Sequence, residues 1–229
     1  MTKSYYSSDE IYAILEKEIT SLLLIPGQYI SETEIAKRFG LSRTPIRDVF
    51  KKLEYNNLIK VIPQKGTMIK PIDLSKISEY MFGREAIEVA VISKIINSIT
   101  PYQLAKLELF LLEQDKIIND ESVPLIERAH KFFEIDNSFH TELFRYADKE
   151  LLWEIFSIKA PDYQRFRCVV AEYSNQNSLL KIYKQHKEIL VSLQEKDMDK
   201  VHKIYATHVY NGMDFITDIL ANKSSYFII

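Results

Sequence analysis

Residues 31–69 read SETEIAKRFGLSRTPIRDVFKKLEYNNLIKVIPQKGTMI and decide the fold of the N-terminal part of the chain. Helix-capping residues at its start and apolar residues at helical spacing predict one helix over 32–39. Gly40 supplies the left-handed residue that ends it. Ser42 is a suitable N-cap for a second helix over 43–55. Two helices joined by so short a turn are typical of a helix-turn-helix.

The residues around this pair complete a small domain. An apolar stripe predicts a preceding helix over 9–24. After the pair, β-prone residues at 58–62 and 67–69, separated by a turn ending in Gly66, predict a two-stranded wing. The segment Pro71–Asp73 is then the linker to the remainder of the chain.

The remainder of the chain has a helical pattern to its end. Pro161 is expected to kink or split one helix, and the tail 223–229 is expected to fray or to pack against a neighbour. The predicted fold class is therefore mainly α, with a winged helix-turn-helix in residues 1–72 and an all-α antiparallel helical bundle in residues 73–229. The predicted helices of the second part are 75–98, 101–119, 124–146, 149–172, 178–195 and 197–221.

Composition narrows the class of protein. Apolar residues make up 46% of the 229 residues, with 5 Gly and 7 Pro, which favours a folded helical protein over a disordered or turn-rich one. The single cysteine, Cys168, excludes an internal disulfide. Neither an N-terminal apolar segment nor an apolar run of ~18 residues is present. We therefore expect a soluble, cytoplasmic protein with no membrane partner.

Positive charge is concentrated in the first part. Residues 37–70 contain nine Lys or Arg and only two acidic residues, Asp48 and Glu54. Such a surplus is typical of a phosphate-binding surface, although an ordinary solvated basic surface has the same composition.

The start of the second helix carries the DNA-reading candidates. Arg43 and Arg47 are four residues apart and so project from one helix face, and arginine pairs bidentately with guanine in the major groove. Ser42 and Thr44 can bind phosphates. Lys65 and Gly66 at the wing tip suit a narrow minor groove. The alternative is that the helices and the hairpin make protein contacts.

Four residues in the second part suggest a metal site. Asp136 and His140 lie at i and i+4, about 40° apart around a helix. His186 and His208 follow on later helices, and a bundle can bring all four together. One carboxylate and three imidazoles suit Zn²⁺, Ni²⁺ or Mn²⁺. The alternative is that each histidine is a hydrogen-bonded core residue.

Residues 10–70 closely resemble the winged-helix domain of GntR-family regulators. Two positions depart from the family pattern: Thr33 stands where many members have Arg, and Asn56-Asn57 replaces an acidic-Gly pair. The residues that carry the resemblance are Pro26-Gly27, Ser31-Glu32, Glu34-Ile35-Ala36, Gly40, Ser42-Arg43-Thr44-Pro45, Arg47, Leu53, Leu58 and Gly66.

Residues 74–222 resemble the FCD ligand-binding domain of the FadR branch of that family, in its shorter, VanR-like form. The pattern D-x3-H, H, H of metal-binding members falls on Asp136, His140, His186 and His208, and R-x3-E falls on Arg84 and Glu88. His130 and His202 lie outside it.

The resemblance implies a small organic acid bound at the ion in a cavity. Arg84 is the candidate partner of its carboxylate, with a structural salt bridge to Glu85 or Glu88 as the alternative. The side chains of Tyr163, Arg165, Arg167 and Tyr173 are expected to line the cavity.

The expected function is that of a transcriptional regulator rather than an enzyme. One wing domain covers half an operator, so we expect a homodimer on a near-palindromic double-stranded DNA site. We expect repression that the organic acid relieves. Two alternatives are a metal-dependent hydrolase, in which the cluster activates water, and a regulator that senses the metal ion itself.

Overall fold

The structure, a computed structural model, describes residues 6–158 and 160–228. Its N-terminal part is built around a helix-turn-helix. Gly40, at φ 67°, ends the first helix of that pair in the left-handed conformation. The elements are α1 (Ser8–Thr20), β1 (Tyr29–Ile30), α2 (Glu32–Phe39), α3 (Arg43–Tyr55), β2 (Ile59–Ile62), β3 (Gly66–Ile69) and β4 (Ile72–Asp73).

The wing is a sheet of three strands in the order β1-β3-β2. Strands β2 and β3 pair antiparallel, with Ile59 opposite Ile69, and β1 pairs with the other edge of β3. The two-residue strand β1 was not predicted. Leu15, Ile46 and Leu53 are fully buried in the core between α1, α3 and this sheet. The winged helix-turn-helix fold is thus confirmed.

The C-terminal part is a helical bundle. One of its helices begins at a capping box formed by Thr100 and Gln103, with Pro101 in the first turn. The helices are α4 (Leu74–Ile95), α5 (Pro101–Asn119), α6 (Leu125–Tyr146), α7 (Glu150–Trp153), α8 (Pro161–Tyr173), α9 (Gln176–Glu195), α10 (Met198–His208) and α11 (Ile216–Lys223).

Two predicted helices are interrupted. The helix predicted over 149–172 divides into α7, a π-helical turn (Glu154–Ile158) and α8. Pro161 explains the second break, because the residue before a proline is pushed out of the helical region, and Ala160 has φ −111° and ψ 74°.

The helix predicted over 197–221 is also divided, into α10, a 3-10 turn (Asn211–Phe215) and α11. Here the side-chain amide of Asn211 donates to the carbonyl of His208 at 2.7 Å, which gives that carbonyl a partner other than the helical backbone.

The tail departs from the prediction of an all-helical second part. Residues Phe227–Ile228 form β5, which pairs parallel with the linker strand β4. The tail is therefore docked on its own chain rather than frayed. Two-residue strands carry too little periodicity to be recognised in a sequence.

The core of the bundle places three helices around one point. In α6 the buried residues Phe132, Asp136, Phe139, His140 and Leu143 recur at helical spacing, so two polar residues share the face that packs inward. Helices α9 and α10 present their own buried faces to the same region. Among residues 6–158 and 160–228, no helix combines the length and hydropathy that crossing a membrane requires.

Candidate functional site

The first turn of α3 is exposed on the face predicted to read DNA. The side chains of Arg43 and Arg47 are 60% and 58% exposed, while Ile46 between them is fully buried and anchors the helix. Ser42 and Thr44 are exposed as well. The Ser42 hydroxyl makes no capping bond within α3. These groups are all accessible to a DNA duplex.

One carboxylate organises the two arginines. Oε2 of Glu32, in the first turn of α2, lies 3.1 Å from a terminal nitrogen of Arg43 and 3.6 Å from Nε of Arg47. The two guanidinium groups are thus held side by side. Surface ion pairs of this kind contribute only ~0–1 kcal/mol, so a guanine can displace the carboxylate at little cost.

The wing tip has the predicted form. Lys65 and Gly66 are exposed, and the turn is closed by a bond from the Lys65 amide to the carbonyl of Ile62 at 3.0 Å. Gly66 has φ 111°, a conformation that residues with a Cβ rarely adopt. The lysine charge is therefore carried at the outermost point of the hairpin.

In the C-terminal part, Asp136, His140, His186 and His208 come together. All four are buried, and one potential ligand atom from each lies within 4.8 Å of the others. Nε2 of His208 is 3.2 Å from Nε2 of His140, and Oδ1 of Asp136 is 3.3 Å from Nε2 of His186 and 3.8 Å from Nε2 of His140. Ligands bound tetrahedrally at ~2.0–2.1 Å stand about 3.3–3.5 Å apart, so the separations of 3.2 and 3.3 Å match one ion and the separation of 3.8 Å is longer than that spacing.

The rings are oriented through their other nitrogens. Nδ1 of His186 lies 2.9 Å from Oε1 of Gln114, and Nδ1 of His208 lies 3.1 Å from Oε1 of Gln185. Nδ1 of His140 lies 2.6 Å from Oε2 of Glu88. Carbonyl and carboxylate oxygens only accept, so these contacts favour the tautomer with the proton on Nδ1, in which each Nε2 has a free lone pair.

Converging lone pairs require a cation. Two unprotonated Nε2 atoms 3.2 Å apart repel each other unless a proton or a metal ion lies between them. Burial lowers the pKa of His208 well below its ordinary value, and His186 and His140 act in the same direction. Burial also lowers the pKa of His186, and Asp136, whose Oδ1 lies 3.3 Å from its Nε2, acts in the opposite direction without reversing the shift. Neutral imidazoles with free lone pairs are the form that binds a divalent ion.

Two buried ion pairs support the cluster. Arg167 donates to Oδ2 of Asp136 at 2.7 Å, and Nε of Arg84 donates to Oε1 of Glu88 at 2.7 Å. Burial opposes ionisation of Asp136, but Arg167 and His186 lower its pKa well below the ordinary value. Burial likewise opposes ionisation of Glu88, and Arg84 and His140 nevertheless keep its pKa below the ordinary value. Both carboxylates are therefore anionic.

A cavity opens onto this cluster. Asp136 and His208 form part of its wall, together with Arg84, Tyr163 and Arg167. Both cationic and anionic groups reach it, so it can receive a polar ligand. The other lining residues are Met81, Phe133, Val170, Ser174, Ser178, Lys181, Ile182, Val209, Asn211, Gly212, Asp214 and Phe215.

Comparison with known proteins identifies the family. Residues 7–69 match the model of the bacterial regulatory proteins of the gntR family, and residues 79–211 match that of the FCD domain. The chain is a GntR-family transcriptional regulator with an FCD domain. It is 31% identical over 220 residues to the HTH-type transcriptional repressor RspR of Escherichia coli K12, covering 96% of this chain and 93% of RspR.

Other relatives agree with this assignment. The Nta operon transcriptional regulator of Aminobacter aminovorans is 26% identical over 196 residues, covering 85% of this chain and 87% of that protein. The solved structure of E. coli McbR/YncC superposes with a TM-score of 0.67 at 17% identity, covering 92% of this chain and 97% of that one. At that identity the likeness concerns the fold alone.

In this GntR-family regulator, several predicted side chains take other places. Tyr163 and Arg167 line the cavity, whereas Arg165 is fully buried and donates to Asp162 and to the carbonyl of Lys70. Tyr173 packs in a hydrophobic cluster instead. For Arg84 the sequence left two alternatives, a place in the cavity and a structural salt bridge. The structure shows both, because Arg84 lines the cavity and forms an ion pair with Glu88. His130 and His202 are exposed, as expected.

Sequence reasoning missed the residues that orient the ligands. Gln114 and Gln185 hold two of the histidine rings. Gln114 lies on the α5 face formed by Leu107, Leu111 and Ile118, and a polar residue on an apolar face was the available signal. The contacts of Glu32 with Arg43 and Arg47 had no such signal in the sequence, because they join one helix of the helix-turn-helix to the other.

We predict that Arg43→Ala or Arg47→Ala reduces specific operator binding by ~1–3 kcal/mol and relaxes the preference at one base pair. The measurement is a binding titration against the operator and against each single-base variant of it. Lys51→Ala on the same helix is the control, since loss of a side chain that is 69% exposed and lacks guanine-pairing geometry should weaken all duplexes equally. Unaltered base preference in both arginine variants would contradict this assignment.

We predict that His140→Ala abolishes binding of a divalent ion, which wild-type protein holds at roughly one per chain. The check is elemental analysis after purification without chelator. His202→Ala removes an exposed histidine and should retain the ion. Because His140 is fully buried, folding of the variant is verified by circular dichroism, and the wild type is also melted with and without chelator. An ion that binds only the folded state must raise the melting temperature, so an unchanged wild-type melt counts against the site.

We predict that Gln114→Met weakens metal binding by ~10–100-fold, the usual effect of removing an outer-shell partner of a histidine ligand. The substitution nearly preserves volume but leaves Nδ1 of His186 without its acceptor. Affinity is measured by competition with a chromophoric chelator. Gln194→Met, at an exposed position of α9, is the matched control. Equal affinities in the two variants would show that Gln114 does not orient the ring.

Proposed function

We propose that this regulator represses transcription as a homodimer, and that a small organic acid bound at a divalent ion in the C-terminal cavity relieves the repression. Residues 1–72 would bind the operator and residues 73–229 would bind the ion and the acid. The ion would be Zn²⁺, Ni²⁺ or Mn²⁺, held by Asp136, His140, His186 and His208.

The observation that carries the metal-dependent part is the orientation of the three imidazoles. Each Nδ1 faces an acceptor, so the three Nε2 lone pairs are directed together beside Oδ1 of Asp136. Water does not suit such a point, since it would have to donate to three acceptors with two protons. A divalent cation accepts electron density from all of them.

The charges around the cavity support an acidic ligand. Arg84 is balanced by Glu88, and Arg167 by Asp136, so a divalent ion would leave a buried excess of positive charge. Buried charge is tolerated only when it is paired. A carboxylate bound at the ion would supply that pair, and the planar fork of Arg84 matches its geometry.

The DNA-binding part of the proposal rests on exposure and charge. Ser42, Arg43, Thr44 and Arg47 lie on one accessible surface at the start of α3. Lys65 and Gly66 extend from the wing tip. Two such surfaces related by a two-fold axis would read the two halves of a palindromic operator.

The hydrolase alternative is less well supported. A metal-dependent hydrolase needs a base that can take a proton from the bound water. Glu88 lies close to the cluster, but it is bound by Arg84 and faces Nδ1 of His140. Its lowered pKa makes it a poor proton acceptor. We therefore propose a role in regulation rather than in catalysis.

We predict that a carboxylic acid lowers the operator affinity of the Zn²⁺-loaded protein. An operator is first selected from random duplexes, and its affinity is then measured with a series of acids from acetate to citrate. Arg84→Lys keeps the charge but loses the bidentate fork, so it should reduce the response to the active acid at least ~10-fold. Arg145→Lys, at a side chain that is 53% exposed, is the control.

The same titration separates the alternatives. If chelator alone changes the operator affinity and no acid does, the ion itself is the effector. If neither does, the proposed control by ligand is wrong, although DNA binding would stand on its own.

A further inference from the structure

The metal centre is connected to the segment that follows it in the chain. Asn211 donates through its side-chain amide to Oε1 of Gln185 at 2.6 Å, and that same oxygen faces Nδ1 of His208 at 3.1 Å. The amide of Asn211 also bonds the carbonyl of His208. The beginning of the 3-10 turn Asn211–Phe215 is thus fixed to a proposed metal ligand and to the residue that orients it.

This turn is also a wall of the cavity and packs tightly on α8. Asn211, Gly212 and Phe215 are among the lining residues. A Cβ added at Gly212 would lie 3.0 Å from the ring of Phe166 and 3.2 Å from Val170. A turn packed so closely cannot shift alone, because interiors are dense and neighbouring atoms must move with it.

Beyond the turn, the chain returns to the linker. Helix α11 packs on α8 through the fully buried Ile219, and Lys223 bonds Glu172 at 2.5 Å. The tail strand β5 then pairs parallel with β4, placing Phe227 opposite Ile72. Phe227 is 8% exposed and Ile72 is fully buried.

The linker leads directly into the winged domain. Strand β4 follows two residues after β3, whose Ile69 carbonyl accepts from the amide of Gly27. The carbonyl of Ser225 in the tail lies close to Gly27. Leu22, just after α1, packs against the cluster that contains Ile72 and Phe227. The tail thus contacts both the linker and the winged domain.

We propose that residues 211–228 form a strap that transmits the state of the metal centre and its cavity to the linker and so sets the position of the DNA-reading helix. The strap rests on the proposed function, because it presumes that the ion binds at His208. The argument is that one continuous segment contacts both sites. Its beginning is hydrogen-bonded to Gln185, which faces His208, and its end pairs with the linker strand β4.

The test is hydrogen exchange of the linker with Zn²⁺ as the probe. In wild-type protein, Zn²⁺ should slow exchange in segment 70–74 relative to chelator-treated protein by about 5–150-fold, the usual range of coupling between two sites. An ion that fixes His208 stabilises the turn, α11 and the docked strand together. Exchange in α2, which carries neither a proposed metal ligand nor a residue that orients one, serves as an internal reference for global stability.

Two variants of the tail strand isolate the strap. Phe227→Ala removes the buried side chain of β5 and should abolish the response of segment 70–74 while the protein still binds Zn²⁺. Ile228→Ala alters the neighbouring side chain of the same strand, which is 45% exposed, and should preserve the response.

Two results would overturn the strap. One is a linker whose exchange does not change when wild-type protein binds Zn²⁺, a result that depends on no variant and leaves the proposed function intact. The other is a full response in folded Phe227→Ala. If wild-type protein binds no Zn²⁺ at all, the metal-dependent proposed function fails together with the strap.

Discussion

Three imidazole rings lie close together in the C-terminal bundle. The need to give each nitrogen lone pair a partner determines which side chains can surround the rings. Gln114, Gln185 and Glu88 hold the Nδ1 atoms, so the rings cannot turn to relieve the crowding of the Nε2 atoms. Burial lowers the pKa of both His186 and His208, which disfavours their protonation. The proposed metal ion would resolve the conflict, and its binding energy would then become part of the stability of the fold. Such an ion would cross-link helices α6, α9 and α10 at that point.

Each charged side chain near the cluster is paired with one of opposite charge, and this pairing affects which ligands the cavity can bind. Arg84 with Glu88, and Arg167 with Asp136, form ion pairs that are neutral in sum. Breaking a buried pair is costly because it leaves an uncompensated charge. A ligand therefore gains more by neutralising the added charge of a metal ion than by displacing either carboxylate. With the proposed ion bound, the cavity would favour anionic ligands for this reason.

Sequence reasoning succeeded where structure is determined locally and by periodicity. The cap at Gly40 led to the correct helix-turn-helix, and the i, i+4 spacing of Asp136 and His140 led to their placement on one face of α6. Sequence reasoning failed where contacts between segments distant in the sequence determine the structure. Strands β1 and β5 have two residues each and exist only through their partners β3 and β4. Gln185 contacts His208 through tertiary packing that no spacing rule describes, whereas Gln114 had a signal in its place on the apolar face of α5.

The two candidate sites differ in electrostatics: ion pairs are exposed at the start of α3 and buried around the histidine cluster. At the DNA-reading end, Glu32 holds Arg43 and Arg47 in place through exposed contacts, which water screens and a base edge can replace. At the cluster of Asp136 and the three histidines the charges are buried in ion pairs with Arg84 and Arg167. The two arginines of the DNA-reading surface can exchange Glu32 for a DNA base without any change in the core of the winged domain. A rigid ligand site can in turn act on that surface only by moving whole elements, since packed interiors do not deform locally. The linker strand β4 follows the wing in the chain and pairs with the tail strand β5, so it is one place through which such a movement can pass.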